Sequence, residues 1–345
     1  MDRCIFRGGR VNLKIIAAGV LVLLTVGADA QNINGAGATF PYPIYSKWFS
    51  EYSQLHSTVK INYQSIGSGG GILQVSQGTV DFGATDGPMT NEQIAAAKIK
   101  TMHIPTVLGA VVPVYNVPGV TKALNFSGDV IADIYLGKIT NWNDPRIAKD
   151  NPGVSLPGDS ILPVYRSGSS GTTYIFTDFL SKVSPSWKSG PGTGTAIKWP
   201  TGIGQQGNEG VAGMVRQTKD SFGYVELIYA VQNKMSYGMV KNAAGKFVLA
   251  STDGVTAAAA AAAKTMPPDY RVSITNAPGA DSYPISSFTW LLIPLHSADP
   301  NKAKALAEFL GWMLDHGEGE AAAMTYAPLP KPVQDMVRKT ITTVK

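Results

Sequence analysis

Residues 59–86 read VKINYQSIGSGGGILQVSQGTVDFGATD, and this stretch decides the fold class. Val59 to Gln64 alternates apolar and polar residues as a half-buried strand does, and a glycine-rich turn follows it. Gly71 to Gln77 then carries apolar residues at helical spacing, and Val80 to Ala84 is a second short β-type run. Strand, glycine turn, helix, strand is the βα alternation of an α/β protein. It predicts mostly parallel sheets flanked by helices, with ligands outside the carboxyl ends of the strands.

The alternation continues outward from there. A helix is expected over about Asn91 to Lys98, and the apolar run Val107 to Tyr115 opens a second block with a helix at Ile131 to Leu136 and a strand at Ile161 to Tyr165. Between Ser189 and Gly213 eight glycines separate short segments, which reads as surface loops. Ala257 to Ala263 is a run of seven alanines, a strong helix former with little side chain to pack, so a solvent-facing helix is expected. Phe288 to Pro294 is an apolar strand, followed by helices at about Asn301 to Asp315 and Val333 to Thr340.

The chain begins with Arg3, Arg7, Arg10 and Lys14, then an apolar run from Ile15 to Val26, then Ala28, Asp29 and Ala30. The run is shorter than the roughly 20 residues needed to cross a bilayer and ends in a small-residue cleavage pattern. We read residues 1–30 as a secretory signal peptide, with Gln31 starting an exported, periplasmic chain. The single cysteine, Cys4, falls in that leader, so no disulfide is expected in the mature protein. Of 345 residues 315 would remain, enough to divide into two domains. The leader takes four of the 29 basic and two of the 24 acidic residues, which leaves 25 against 22. So small an excess names no partner, and no Lys/Arg cluster with interleaved aromatics suggests nucleic acid.

Three loops could hold an anion. Gly35 to Phe40, GAGATF, opens a helix whose Tyr45, Trp48, Phe49 and Tyr52 recur at helical spacing, with Thr39 offering a hydroxyl. Ile66 to Gly71, IGSGGG, offers Ser68 after the first strand, and Tyr165 to Thr173, YRSGSSGTT, joins Arg166 to hydroxyls and amides. Free N–H groups at helix starts, with the helix dipole behind them, favour anions. None of the loops has the spacing of a P-loop or a dinucleotide fingerprint. Any one of them is more often a tight turn, and Arg166 alone would more often be a strand-end surface residue. Asp86 closes VDFGATD either as a turn cap before Gly87 and Pro88 or as a ligand contact. In an anion site it suits a ligand carrying a proton: phosphate can donate P–OH to a carboxylate, and sulfate cannot.

Enzyme chemistry finds little to work with. The histidines, His56, His103, His296 and His316, share no metal-ligand spacing, and neither HExxH nor GxSxG occurs. A phosphatase using the same loops, or a scaffold in which they are plain turns, are the rival readings.

GAGATFPYPIYSKW, INYQSIGSGGG, VDFGATDGPM, DIYLGKITNWNDPRI, RSGSSGTT, TGTAIKWPTGIGQQGNEGVA, FGYVELIYA and YPISSFTWLLI follow one another along nearly the whole mature chain. In this ordered series the sequence resembles the periplasmic phosphate-binding proteins of phosphate ABC transporters. The resemblance implies a two-lobed periplasmic-binding-protein (Venus-flytrap) α/β fold, each lobe a mainly parallel sheet flanked by helices, joined by a two-strand hinge. Lobe I would comprise residues 31–110 and 283–345, and lobe II residues 111–282. It implies phosphate contacts from Thr39, Phe40, Ser68, Asp86, Arg166, Ser170, Gly171 and Thr172, with Phe40 and Gly171 acting through backbone N–H groups and Asp86 as proton acceptor. It further implies inorganic phosphate as ligand, with arsenate as an alternative, the membrane permease of an ABC importer as partner, a monomer, and neither cofactor nor metal. One departure stands out: relatives usually carry an acid two positions after the arginine, where this chain has Gly168. Arg166 thereby loses its expected partner, and the site is expected to be more positive and more sensitive to salt.

Overall fold

The computed structural model describes residue 1 and residues 31–344; the rest of the expected leader, and with it the cleavage before Gln31, lies outside the described residues. Eight strands build the principal sheet: β1 (Gln31–Gly37), β2 (Val59–Ser65), β3 (Phe82–Thr85), β4 (Thr101–Asn116), β5 (Leu162–Arg166), β6 (Ile203–Gln205), β7 (Ser221–Glu226) and β8 (Ser286–Pro294). They lie in the order β2-β1-β3-β8-β4-β7-β5-β6, with the short strand Ser236–Tyr237 beside β4. A small separate sheet joins Asn125–Phe126, Met239–Lys241 and Phe247–Val248.

The quoted stretch forms the βαβ unit its pattern predicts. β1 runs parallel to both β2 and β3, and the helix α2 (Ser68–Gln77) connects β2 to β3. On the far side β5 runs parallel to β6 and β7. The centre differs from a mainly parallel sheet, because β8 is antiparallel to β3 and β4, and β4 is antiparallel to β7. β8 returns from the other half of the molecule and not through a crossover helix, so nothing constrains it to run parallel to its neighbours.

β4 carries the architecture. Its 16 residues pair with β8 from Thr101 to Ala110 and with β7 from Val111 to Asn116, so one strand serves two half-sheets and changes partner at Ala110/Val111. His103 through Tyr115 are all buried, which explains the unbroken apolar run in the sequence. Pro105 cannot donate to the ladder; opposite it the register shifts between Thr289 and Trp290, a β-bulge that leaves Thr106 between paired residues.

A second connection spans the halves. Tyr270 accepts from Trp290 Nε1 through its carbonyl and meets Thr340 through its hydroxyl, and Arg271 donates to the Met89 carbonyl. Only two residues later Ser273 and Thr275 donate to Asp178 on the helix α3 (Gly171–Val183). Residues 268–275 thus strap the β3–β8 side to the β5–β7 side, in addition to β4 and the entry to β8.

Three local readings change. Gly35, Ala36 and Gly37 belong to β1, not to a loop. A Cβ at Gly35 would lie 2.1 Å from the Phe82 ring, and Gly37 has φ +149°, with its Cβ position 2.1 Å from the Ala84 carbonyl oxygen. The glycine-rich span 189–213 is not all loop, since β6 and the start of helix α4 (Gly207–Gln217) fall inside it. The alanine run lies in helix Thr252–Ala262, but Ala258, Ala259 and Ala262 are buried; the small side chain lets the helix lie close against β8 and β4. Helix α1 (Tyr42–Leu55) buries Tyr45, Trp48, Phe49 and Tyr52 as their spacing predicts.

Gly71 shows how tightly α2 sits on the sheet: a Cβ there would be 2.6 Å from the carbonyl oxygens of both Ala36 and Ala84. Gly71→Ala is expected to lower the urea-unfolding midpoint, at a cost of ~1–3 kcal/mol for overpacking. An unchanged midpoint would show that the helix can lift without loss.

Candidate functional site

Four of the parallel strands end in a short loop that opens a helix: β1 before α1, β2 before α2, β5 before α3 and β6 before α4. Their first-turn N–H groups gather at the carboxyl edge of the sheet, where unpaired donors and helix dipoles favour negative charge.

Arg166 ends β5 and is only 3% exposed. Its backbone N–H donates to the Tyr224 hydroxyl (3.2 Å), which also meets Thr173 Oγ1 (2.7 Å), tying the strand end to the first turn of α3. The guanidinium Nη1 donates to Thr39 Oγ1 across the cleft (3.1 Å) and to Thr172 Oγ1 (3.3 Å). Among the described residues no carboxylate forms an ion pair with it, and its buried Nε has no hydrogen-bond partner. Burial of this cation pulls its pKa below the ordinary arginine value. Gly168, where an acid was expected, has φ +75°, and a Cβ there would meet nothing within 4 Å.

Asn208, in the first turn of α4, completes the cluster. Its Nδ2 donates to Thr39 Oγ1 (2.9 Å) and Thr172 Oγ1 (3.2 Å), while its Oδ1 accepts from the Glu226 N–H (3.1 Å), which settles the amide orientation. Both threonine oxygens therefore accept from cationic or amide donors, and their hydroxyl hydrogens remain to be given elsewhere. Ser170 behaves alike: as N-cap of α3 its Oγ accepts from the Thr173 N–H (3.1 Å).

Asp86 follows β3 and is 1% exposed. Thr289 Oγ1 donates to Oδ1 (2.8 Å); Ser68 Oγ lies 3.4 Å from Oδ2 and accepts from the Asp86 N–H (3.1 Å). Burial raises the carboxyl to about 7, against the opposing effects of Thr289, the Arg166 charge and Ser68. Gly171 closes the arrangement from the other side, since a Cβ there would stand 2.3 Å from Ser68 Oγ and 2.5 Å from Asp86 Oδ2.

The structure thus brings together the residues selected from sequence. Thr39, Arg166 and Thr172 are joined by hydrogen bonds, Ser68 and Asp86 touch, and Gly171 abuts both. Phe40 places its ring in the core against Tyr326 and gives its carbonyl to the Tyr326 hydroxyl (2.6 Å), so only its N–H can serve the cleft. Asn208, Tyr229, Tyr224 and Thr289 were not selected. Tyr229 donates to the Thr39 carbonyl (2.6 Å) across the cleft. A polar residue inside the otherwise apolar run Phe288 to Pro294 was the available signal for Thr289, and the Gly-Asn-Glu opening of a helix was the one for Asn208. Among the described residues no group of His, Cys, Asp and Glu is arranged to hold a metal ion, and no helix is long and apolar enough to cross a membrane.

The arrangement can hold a small, compact anion by hydroxyls, amides and one cation, with a single acceptor opposite. Comparison with known proteins agrees with that chemistry. Residues 25–316 match the model of the PBP superfamily domain. The phosphate-binding protein PstS of Pasteurella multocida is 46% identical over 306 residues, covering 88% of each chain, and that of Xylella fastidiosa is 45% identical over 299 residues, 86% of this chain and 81% of its own. In fold, the chain is similar to the phosphate-binding protein from Stenotrophomonas maltophilia, with a TM-score of 0.69 at 21% identity over 90% of this chain and 94% of that one. The chain belongs to the PBP superfamily and, within it, to the PstS family of phosphate-binding proteins.

Proposed function

We propose that the chain captures inorganic phosphate in the periplasm, between two lobes that close on it, and delivers it to the membrane permease of an ABC importer. As a member of a binding-protein family it releases its ligand unchanged and is not an enzyme. Lobe I is residues 31–110 and 283–345 and lobe II residues 111–282. The exchange of partners along β4 at Ala110/Val111 supports this division. The mature chain starts at Gln31, acts as a monomer, and admits arsenate, which has phosphate's shape and protonation.

Thr39, the Phe40 N–H and Ser68 donate to the ligand from lobe I; Arg166, Ser170, the Gly171 N–H and Thr172 donate from lobe II. Asp86 accepts the one proton the ligand keeps. A ligand touching both sets stabilises the closed form, so binding and closure are one equilibrium. The observation that carries the reading is Asp86: a buried carboxyl, raised to about 7, facing a cleft otherwise lined with donors. Such a group shares a proton with phosphate and repels sulfate, which has none to share.

Equilibrium dialysis with labelled phosphate and sulfate as competitor tests this. The wild type is expected to bind phosphate saturably and to reject sulfate above about pH 8, where a carboxyl raised to about 7 is ionised. Asp86→Asn is expected to keep phosphate while letting sulfate compete at least about tenfold better, the removal of a facing charge being worth more than 1.4 kcal/mol. Equal sulfate rejection by both proteins would contradict the role given to Asp86.

A further inference from the structure

Asp86 has two unlike oxygens, and the difference originates in β8. Ser286–Pro294 is buried at all nine positions, and Thr289 sits where the register against β4 slips. There Thr289 faces Val107 and Trp290 faces Pro105, leaving Thr106 in the bulge. Thr106 Oγ1 donates to the Thr289 carbonyl (3.3 Å) and meets the Tyr45 hydroxyl (2.6 Å), so the backbone of Thr289 is held from below. Its hydroxyl has one hydrogen; besides the Tyr45 phenol, the acceptors in reach are Asp86 Oδ1 at 2.8 Å and the Thr85 carbonyl at 3.3 Å. The carboxylate is the nearer and the stronger acceptor. Oδ1 is thereby turned into the fold, while Oδ2 lies beside Ser68 and Gly171 at the opposing half.

Resting on the reading of this cleft as a phosphate site, we propose that Thr289 is a positioning residue for anion selectivity. By donating to Oδ1 it keeps Asp86 charged with Oδ2, beside Ser68, as the cleft-facing acceptor, and so sets how far the pH can fall before a fully deprotonated anion is admitted.

The direction of the effect follows from the groups around Asp86. Facing it are the Thr289 and Ser68 hydroxyls, the Arg166 charge, the phenols of Tyr45, Tyr63 and Tyr326, and the carboxyl of Glu226. Burial pushes the phenols and the Glu226 carboxyl upward, toward their neutral forms. Of the influences that hold Asp86 ionised, the Thr289 hydrogen bond is the largest, ahead of Arg166 and Ser68. Without it, Asp86 takes up its proton at higher pH. A protonated Asp86 no longer repels sulfate and can donate to it, so the onset of sulfate binding moves up the pH scale.

The test is sulfate competition against labelled phosphate from acid to alkaline pH for the wild type, Thr289→Val and Thr289→Ser. Phosphate's own titration is common to all three, so shifts between curves report the protein. Sulfate competition is expected to set in about one pH unit higher in Thr289→Val than in the wild type. Thr289→Ser, which restores the hydroxyl, is expected to follow the wild type. A role in packing alone would lower stability without moving the onset. Coincident curves for wild type and Thr289→Val, including no sulfate competition by either at any pH, overturn the proposal while the phosphate reading stands. A serine variant that follows valine overturns it as well. Failure of the wild type to bind phosphate at any pH removes the phosphate reading itself, and this inference with it.

Discussion

Gly171→Ala is expected to weaken phosphate binding on the order of 100-fold while leaving the unfolding midpoint of the ligand-free protein nearly unchanged. The added Cβ would stand 2.3 Å from Ser68 Oγ and 2.5 Å from Asp86 Oδ2, well inside contact distance. Gly171 heads α3, whereas Ser68 and Asp86 follow β2 and β3 on the other side of the cleft. The clash therefore arises only when the two sides meet. Opening relieves it at no cost to either core, but an opened cleft cannot let donors from both sides reach one ligand. Titration calorimetry reads the affinity, and solution scattering reads the expected failure to compact when phosphate is added. Unchanged affinity would mean that the closed arrangement is not the binding state.

Arg166→Ala is expected to cost more, on the order of 100- to 1,000-fold in affinity, against about tenfold for Thr39→Ala. Arg166 is the one cation among the contacts assigned to the ligand, it is buried, and among the described residues no carboxylate is paired with it. Its charge is met by hydroxyls of Thr39 and Thr172, which orient it but do not neutralise it. A desolvated cation in that state interacts strongly with an arriving anion, because the cost of burying it has already been met by the fold. The same reasoning predicts that the affinity of the wild type falls more steeply with ionic strength than that of Arg166→Ala. Titrations at two salt concentrations decide both points. A larger loss from Thr39→Ala than from Arg166→Ala would place the anion elsewhere.

Local pattern carried much of the fold. The strand–turn–helix–strand of residues 59–86 and the aromatic face of α1 were legible because each side chain's burial follows from a short period. Glycine misled in two opposite ways. Gly69 and Gly70 read as turn but lie in the first turn of a helix that Gly71 seats against the Ala36 and Ala84 carbonyls, and the glycines after Ser189 hid the start of α4. The antiparallel centre could not be read, since β4 and β8 meet across more than 170 residues of chain and neither strand's own pattern states its partner's direction.

At the site, the loop residues were legible because hydroxyl, amide and charge chemistry is written in adjacent positions, and because the resemblance named them. Asn208 and Thr289 escaped because their roles exist only through distant partners: Asn208 meets Thr39 across 169 positions and Thr289 meets Asp86 across 203. The missing acid at Gly168 was legible. So was the loss of Arg166's expected partner; that the hydroxyls of Thr39 and Thr172 take its place was not.

The central claim is that one phosphate is held between the two sides of the cleft. A crystal structure of the protein grown with phosphate tests it directly. We expect tetrahedral density within hydrogen-bond distance of Thr39, Ser68, Arg166 and Thr172, with one of its oxygens against Asp86 Oδ2. Tetrahedral density outside this cleft, or a cleft left without phosphate under saturating conditions, would contradict the account.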